Sequence, residues 1–281
     1  MDEYLLSFAG STVSIHYDSG EAFDFLTLLF ADIPCSMPIA EDVPVLVLGR
    51  SDQHQVYALT FGNDLLFRGR LGVRCAAVLF DAVIYHLLNN ADGGVALHAG
   101  AVSRRGRVIL LPGKSGAGKS TLTAWLTAHG YSYLTDELIF LPEHGAVQFF
   151  SRPVCLKSAT VAEVKRLLKK EWLSDLPEDN QGAIVPHRWL NPHFSAMQSL
   201  PELMFLPSYE AGSSLAIDKL SPAKLCISLM NCHVNARNLE NHGFDRVVRL
   251  ARSVPAYRIR YGDFHGLGDA LDTLFDDSKQ G

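Results

Sequence analysis

The chain has 281 residues, 48% apolar and 20% charged, with a formal net charge of −5. That length accommodates one large domain or two smaller ones, and the apolar share supplies an ample core. With no long basic run, the sequence argues against a general nucleic-acid binder, whose phosphate affinity needs clustered Lys and Arg.

The cysteines, Cys35, Cys75, Cys155, Cys226 and Cys232, are odd in number and form no C-x-x-C. Neither a disulfide framework nor a zinc site is expected. The chain opens Met1-Asp2-Glu3, acidic where a signal peptide is basic, and no apolar run approaches the ~20 residues of a membrane helix. A cytoplasmic protein without a membrane partner is the expectation.

From Tyr4 to Phe67 the pattern is short and alternating. Thr12–Tyr17, Val43–Gly49, Gln55–Phe61 and Leu65–Arg68 read as strands, with an apolar helix near Glu21–Phe30. No chemical motif stands out there, so a partner-docking domain and a structural cover are equally open. Arg70 to Asn89 carries Val73, Ala76, Ala77, Phe80, Val83, Ile84 and Leu87 at helical spacing and ends in helix-stopping residues. The spacing predicts a buried helix joining a small α+β domain, 1–92, to the rest, 93–281.

A hairpin follows: Val95–Ser103, a turn at Arg104-Arg105-Gly106, then Arg107–Leu111. Centring the turn on Arg105 pairs residues whose numbers add to about 210, which sets His98 beside Pro112. His98 then stands either at the mouth of the next loop or as a satisfied core histidine.

That next loop carries the chemistry. Gly113-Lys114-Ser115-Gly116-Ala117-Gly118-Lys119-Ser120 fits G-x-x-x-x-G-K-[ST], with the strand-like Val108–Leu111 before it and a helical pattern from Thr121 after it. The glycines let backbone N–H groups wrap an anion, Lys119 reaches the terminal phosphates, and the Ser120 hydroxyl suits Mg²⁺. The helix, Lys119–His129, is stopped by Gly130, and Tyr131–Thr135 returns as a strand before Asp136-Glu137. Ten helical residues at ~1.5 Å climb about as far as five extended ones at ~3.3 Å descend, so Asp136 comes back to the level of the phosphates. Carboxylates at the carboxyl end of a strand lie where α/β sheets place ligands; the bland alternative is a solvated acidic turn.

Further along, Val161–Trp172 reads as an amphipathic helix with Val161, Val164, Leu168 and Trp172 on one face and Lys165, Arg166, Lys169 and Lys170 on the other. The basic face is either solvated or docks an acidic peptide. Ser174–Pro201 reads as a long irregular stretch suited to a lid or substrate loop; its His187 and His193 lack metal-ligand spacing. Leu203–Leu206 and Pro255–Tyr261 read as strands. Ser221-Pro222 opens a helix through Met230, and a last helix ends near Phe275.

Three blocks resemble the HPr kinase/phosphorylase-like kinases, in particular the HprK-related kinase A branch: Leu97-His98-Ala99-Gly100-Ala101-Val102, Gly113–Thr121, and Gly130-Tyr131-Ser132-Tyr133-Leu134-Thr135-Asp136-Glu137. Pro255–Asp263 is similar more loosely, and Phe149–Lys157 resembles an R-P-x-x-L-K segment of related kinases. The resemblance implies an α/β fold, a nucleotide-binding domain of the HPr kinase C-terminal type with a mixed sheet flanked by helices, preceded by the small α+β domain. It implies ATP and Mg²⁺ as cofactors, with Gly113, Lys114, Ser115, Gly116, Ala117, Gly118, Lys119, Ser120 and Thr121 around the nucleotide. Asp136 would be the base taking the proton of a substrate hydroxyl, Ser120 and Glu137 the holders of Mg²⁺, and His98 a site histidine. Either cation of the later segment, Arg152 or Lys157, would neutralise charge on the phosphoryl group or sit at the surface.

The second acid is Glu where the family usually has Asp, and no E-[IV]-R-G-x-G segment follows, which puts HPr itself in doubt as acceptor. The expectation is therefore a kinase moving the γ-phosphoryl group of ATP to a hydroxyl, Ser or Thr of a small protein or peptide. A nucleotide-dependent binding module and a small-molecule kinase are the alternatives, and self-association is compatible with each. Lys119→Ala should leave the fold intact and lower transfer below a tenth of wild type, since losing ~1.4 kcal/mol of transition-state stabilisation already does so. Turnover and melting temperature measured on one sample check it.

Overall fold

Alternation of apolar side chains builds the first sheet of the computed structural model, which describes residues 1–33, 42–51, 55–194 and 199–277. Cys35 lies outside the described residues. The strands are β1 (Asp2–Phe8), β2 (Ser11–Tyr17), β3 (Val45–Arg50), β4 (Tyr57–Phe61) and β5 (Asp64–Gly69), in that spatial order. Leu6, Phe8, Val13, Ile15, Leu46, Leu48, Leu59 and Phe67 turn one face inward, as the period of two requires. β2 and β3 are parallel, so helix α1 (Gly20–Phe30) crosses between them, its first turn capped by the Ser19 hydroxyl accepting from Ala22 N–H. Helix α2 (Val73–Leu88) buries Ala76, Leu79, Phe80 and Val83 beneath this sheet. The same apolar cluster runs on through Phe140, Phe150 and Ile184 of the later chain.

The second sheet starts from β6 (Gly94–Arg104) and β7 (Arg107–Pro112), with helix α3 (Lys119–Ala128) after β7. The chain returns as β8 (Ser132–Thr135), β9 (Leu138–Pro142) and β10 (Gln148–Phe149). Next come β11 (Val154–Lys157), α4 (Ser158–Lys165), β12 (Glu178–Asp179), β13 (Gly182–Val185) and α5 (His187–Leu190). The last elements are β14 (Pro201–Tyr209), β15 (Ala216–Lys219), α6 (Pro222–Met230), α7 (Phe244–Ser253), β16 (Ala256–Tyr261) and α8 (Leu267–Asp277). The spatial order β10-β9-β6-β7-β14-β16-β15, with β8 also on β6, makes a mixed sheet. Its parallel centre is β7, β14 and β16. Leu122, Trp125 and Leu126 of α3 share a core with Leu267, Leu271 and Phe275 of α8, whereas Leu225, Leu229, Val247 and Ala251 of α6 and α7 belong to another. β11, β13 and β12 form a small third sheet.

Three expectations are corrected. The hairpin turn is two residues, Arg105 (φ 51°) and Gly106 (φ 80°), closed by the Arg104–Arg107 pair. Its centre falls between those residues, as a turn with two left-handed positions dictates, so Ala99 rather than His98 faces Pro112. The helix expected over Val161–Trp172 ends at Lys165; Lys169 is extended (φ −65°, ψ 146°), and Trp172 stacks on Trp189 at 5.1 Å after a separate short turn. Three of its four cations are paired, Lys165 with Glu178, Arg166 with Glu163 and Lys169 with Glu171. Finally, the stretch expected to be irregular, Ser174–Pro201, supplies β12, β13 and α5, although its residues 195–198 lie outside those described.

β6 is buried along nearly its whole length and pairs on both edges, which is why its sequence is an almost continuous apolar run. Ala101 faces Thr135 and His98 faces Leu138, so β8 and β9 continue one antiparallel ladder along β6, interrupted at Asp136-Glu137. Buried Asn235 fastens the start of β6: its Oδ1 accepts from Ala96 N–H at 2.8 Å, and its Nδ2 donates to the Ala91 and Gly94 carbonyls at 2.7 and 3.0 Å. Asn235→Ala removes its bonds to the Ala96 N–H and the Gly94 carbonyl, leaves the Ala91 carbonyl only Asn238, and should lower unfolding stability by roughly 2–4 kcal/mol, read as an earlier urea midpoint.

Candidate functional site

Val108–Leu111 are fully buried, and β7 delivers Pro112 to the loop Gly113–Gly118 at the carboxyl end of the parallel strands. Gly116 (φ 83°) and Gly118 (φ 93°) are left-handed, a conformation that costs a residue with a Cβ. At Gly118 that Cβ would also stand 2.6 Å from the Tyr261 hydroxyl. No side chain caps the first turn of α3, so its leading amides and partial positive charge face the loop. Lys119, only 6% exposed, donates to the Gly113 and Lys114 carbonyls at 2.8 and 3.1 Å. Burial lowers its pKa, opposed by Cys232, Glu137 and Asp136. The exposed Lys157 reaches the loop rim, its Nζ 3.3 Å from the Ser115 hydroxyl.

The break in the β6 ladder puts the two acids here. Thr135 shapes it: its Oγ1 accepts from Glu137 and Leu138 N–H at 3.1 and 3.3 Å and donates to the Phe150 carbonyl at 2.6 Å. Ala99 N–H donates to the Glu137 carbonyl at 3.1 Å. The Asp136 side chain thereby turns toward Lys119 and Ser120, with which it lines a cleft of ≈ 770 Å³. At 2% exposure it is not part of a solvated acidic turn. Its Oδ2 is buried without a hydrogen-bond partner, while Tyr133 Oη, donating to the Arg152 carbonyl at 2.6 Å, lies 3.3 Å from Oδ1.

His98 is in the site, held there by Glu137 and not by the hairpin register: its Nδ1 is 3.0 Å from Glu137 Oε1. The other Glu137 oxygen pairs with Arg152, whose guanidinium also lies 3.5 Å from Asp136 Oδ1 and 4.8 Å over the Phe80 ring of α2. Arg152 is buried, at 6% exposure. Its charge is engaged by the acids on the cleft wall, so it is not a surface cation. Nothing in its spacing from the acids announces the contact; the R-P segment is the one signal in the sequence that points to it.

The two carboxyls are driven apart electrostatically. Burial raises the Asp136 pKa, with Arg152 pulling the other way. Burial would raise Glu137 too, but Arg152 and His98 outweigh it and bring its pKa down to about 2. Arg152 is pushed well above its usual value: burial opposes the charge, and Asp136, Cys155 and Glu137 more than compensate. Cys155, also on the cleft wall, is raised to about 12 by burial and remains a thiol.

Among the described residues no group of three or more His, Cys, Asp or Glu converges as an all-protein metal site. Mg²⁺ needs none, because it is often held by one or two carboxylates together with substrate phosphates and water. The Ser120 hydroxyl, the Glu137 carboxylate and the unpartnered Asp136 Oδ2 are oxygen donors of that kind on one cleft. Glu137 already has both oxygens engaged, so it would ligate a metal only by sharing one held by His98 or Arg152.

Neither a protein-family model nor a curated protein matches the sequence. Among solved structures, the chain is similar to the Hpr(Ser) kinase/phosphatase from Coxiella burnetii, at 13% identity and a TM-score of 0.32, over 66% of this chain and 96% of that one. A score so low carries no weight for the chemistry, which rests on the geometry above. No helix among the described residues is long and apolar enough to cross a membrane.

The Glu137 shift predicts an acid limb in stability. A carboxyl lowered from 4.5 to about 2 by folding contributes stability that is fully present above its unfolded pKa and lost as pH falls through the folded one. Wild type should lose on the order of 3 kcal/mol between pH ~4.5 and ~2 from this group, and Glu137→Gln should flatten that part of the curve. Urea titrations across the window measure it.

Proposed function

We propose that the protein is an ATP-dependent kinase that transfers the γ-phosphoryl group to a hydroxyl, Ser or Thr of a small protein or peptide. The observation that carries this reading is Asp136: a buried carboxyl with one unpartnered oxygen, facing Lys119 and Ser120 at the mouth of the glycine loop. A residue that merely senses bound nucleotide has no need of a second, desolvated carboxyl beside an ionised one. Two carboxyls with pKa values pushed apart are the usual mark of divided acid and base roles.

In this reading Gly113–Thr121 cradles the phosphates, and the uncapped N–H groups of α3 donate to their oxygens. Lys119 exchanges its loop carbonyls for phosphate oxygens. Ser120 and Glu137 would hold Mg²⁺, which supplies charge neutralisation on the terminal phosphates when bound. Asp136 accepts the proton of the acceptor hydroxyl as its oxygen attacks the γ-phosphorus and ADP leaves. Its raised pKa suits a base, because proton transfer is favoured when the catalytic pKa approaches the working pH. Arg152 keeps the neighbouring Glu137 ionised, and His98 fixes the Glu137 carboxylate from the other side.

The test uses γ-labelled ATP, Mg²⁺ and a lysate from the protein's own source, with labelled species identified by mass. Asp136→Asn should bind ATP nearly as wild type yet transfer at least about a hundredfold more slowly, the usual contribution of a general base. Transfer at the wild-type rate would remove Asp136 from that role. ATP-dependent capture of a partner with no labelled product would replace the kinase by a nucleotide-dependent binding module.

A further inference from the structure

The cleft has two chemically different flanks. Lys157, Glu163, Arg166 and Gln181 line it on the β11–α4 side, whereas Tyr209, Tyr261 and Phe264 line it at the ends of β14 and β16. β7 and its loop stand between the acid-bearing strands and β14, so the acids and these rings lie on opposite sides of the loop. A polyphosphate whose terminal group meets Lys119, Ser120 and Asp136 runs along the loop and leaves toward the rings.

We propose that Tyr209 and Phe264 form the nucleoside subsite, taking a purine base by stacking; this rests on the nucleotide reading given above. Tyr209 is 51% exposed, although it ends a strand whose middle, Leu203–Pro207, is buried. Its backbone N–H donates to the Ala117 carbonyl at 3.2 Å, which ties the ring to the loop that would carry the phosphates. Tyr261, almost fully buried, meets Tyr209 edge-on at 5.7 Å, and its hydroxyl donates to the Gly118 carbonyl over 3.4 Å. It is a positioning residue. Phe264 is backed by Trp125 in a parallel stack at 5.0 Å and 10°. Such prepositioned rings accept any base face. Asp263, exposed beside them with its carboxylate accepting the His265 N–H at 2.8 Å, adds an acceptor for the amino group of adenine or guanine. The polar flank is left for the phosphoryl acceptor.

Calorimetric binding of Mg·ATP and Mg·tripolyphosphate to the full chain tests this, because tripolyphosphate lacks the nucleoside. Tyr209→Ala should weaken ATP at least about fivefold, the lower end of alanine-substitution losses for base stacking, and leave tripolyphosphate unchanged. Tyr209→Phe, which keeps the ring, should bind ATP as wild type does, and melting temperatures on the same samples establish that both variants are folded. If a folded Tyr209→Ala binds ATP as tightly as wild type, or loses both ligands equally, the subsite is overturned while the phosphate loop stands. If wild type binds neither ligand, the nucleotide reading falls and the subsite with it.

Discussion

One buried cation organises the candidate site. Arg152 lies between Asp136 and Glu137 with almost no access to water, and a guanidinium stays charged where a lysine would give up its proton. Without it, two desolvated carboxyls on consecutive residues would repel, and at least one would protonate. With it, Glu137 is held ionised and Asp136 remains the more easily protonated of the two. A buried ion pair of this kind is weak as a source of net stability, because desolvation offsets the attraction. What it contributes is a fixed distribution of charge beside the loop.

The backbone supports that arrangement through the break in the β6 ladder. Had β8 run into β9 without interruption, Asp136 and Glu137 would have been ordinary ladder residues, their side chains alternating across the sheet. The break, shaped by Thr135 and closed by Ala99, frees both to converge on Arg152. The N-terminal third takes part as well. Phe80 of α2 forms the face under the Arg152 guanidinium, and Val73 and Ala77 of the same helix line the cleft. These contacts make α2 part of the wall of the site.

Much of this was legible along the chain, though unevenly. Helices with a clear apolar stripe and a stop signal, α2, α3 and α6, lie within a few residues of where spacing and caps put them, and Ser221 with Pro222 opens α6 as expected. β1, β9, β10, β11, β15 and α7 escape a reading by pattern alone. β9 follows so closely on the acids that no turn signal separates it. The buried positions of α7, Val247 and Ala251, are outnumbered by charged neighbours in the stretch Phe244–Ser253. The hairpin register differs by one from that of a turn centred on Arg105, because a two-residue turn and a turn centred on a single residue differ by one in their pairing.

The sequence by itself determined the local chemistry: a glycine loop between a strand and a helix, a lysine and a serine at its end, and two acids one strand later. These follow from residue type and near-neighbour spacing, since left-handed backbone, helix starts and strand lengths are decided within a few residues. Tertiary structure alone decided which groups meet. Arg152 reaches the acids because β10 and β11 turn back past β8, His98 reaches Glu137 because β6 runs beside β9, and Tyr209 and Tyr261 reach the loop because β14 and β16 lie parallel to β7. Such meetings depend on strand order and register across long separations in sequence, where burial and not local spacing selects the partner.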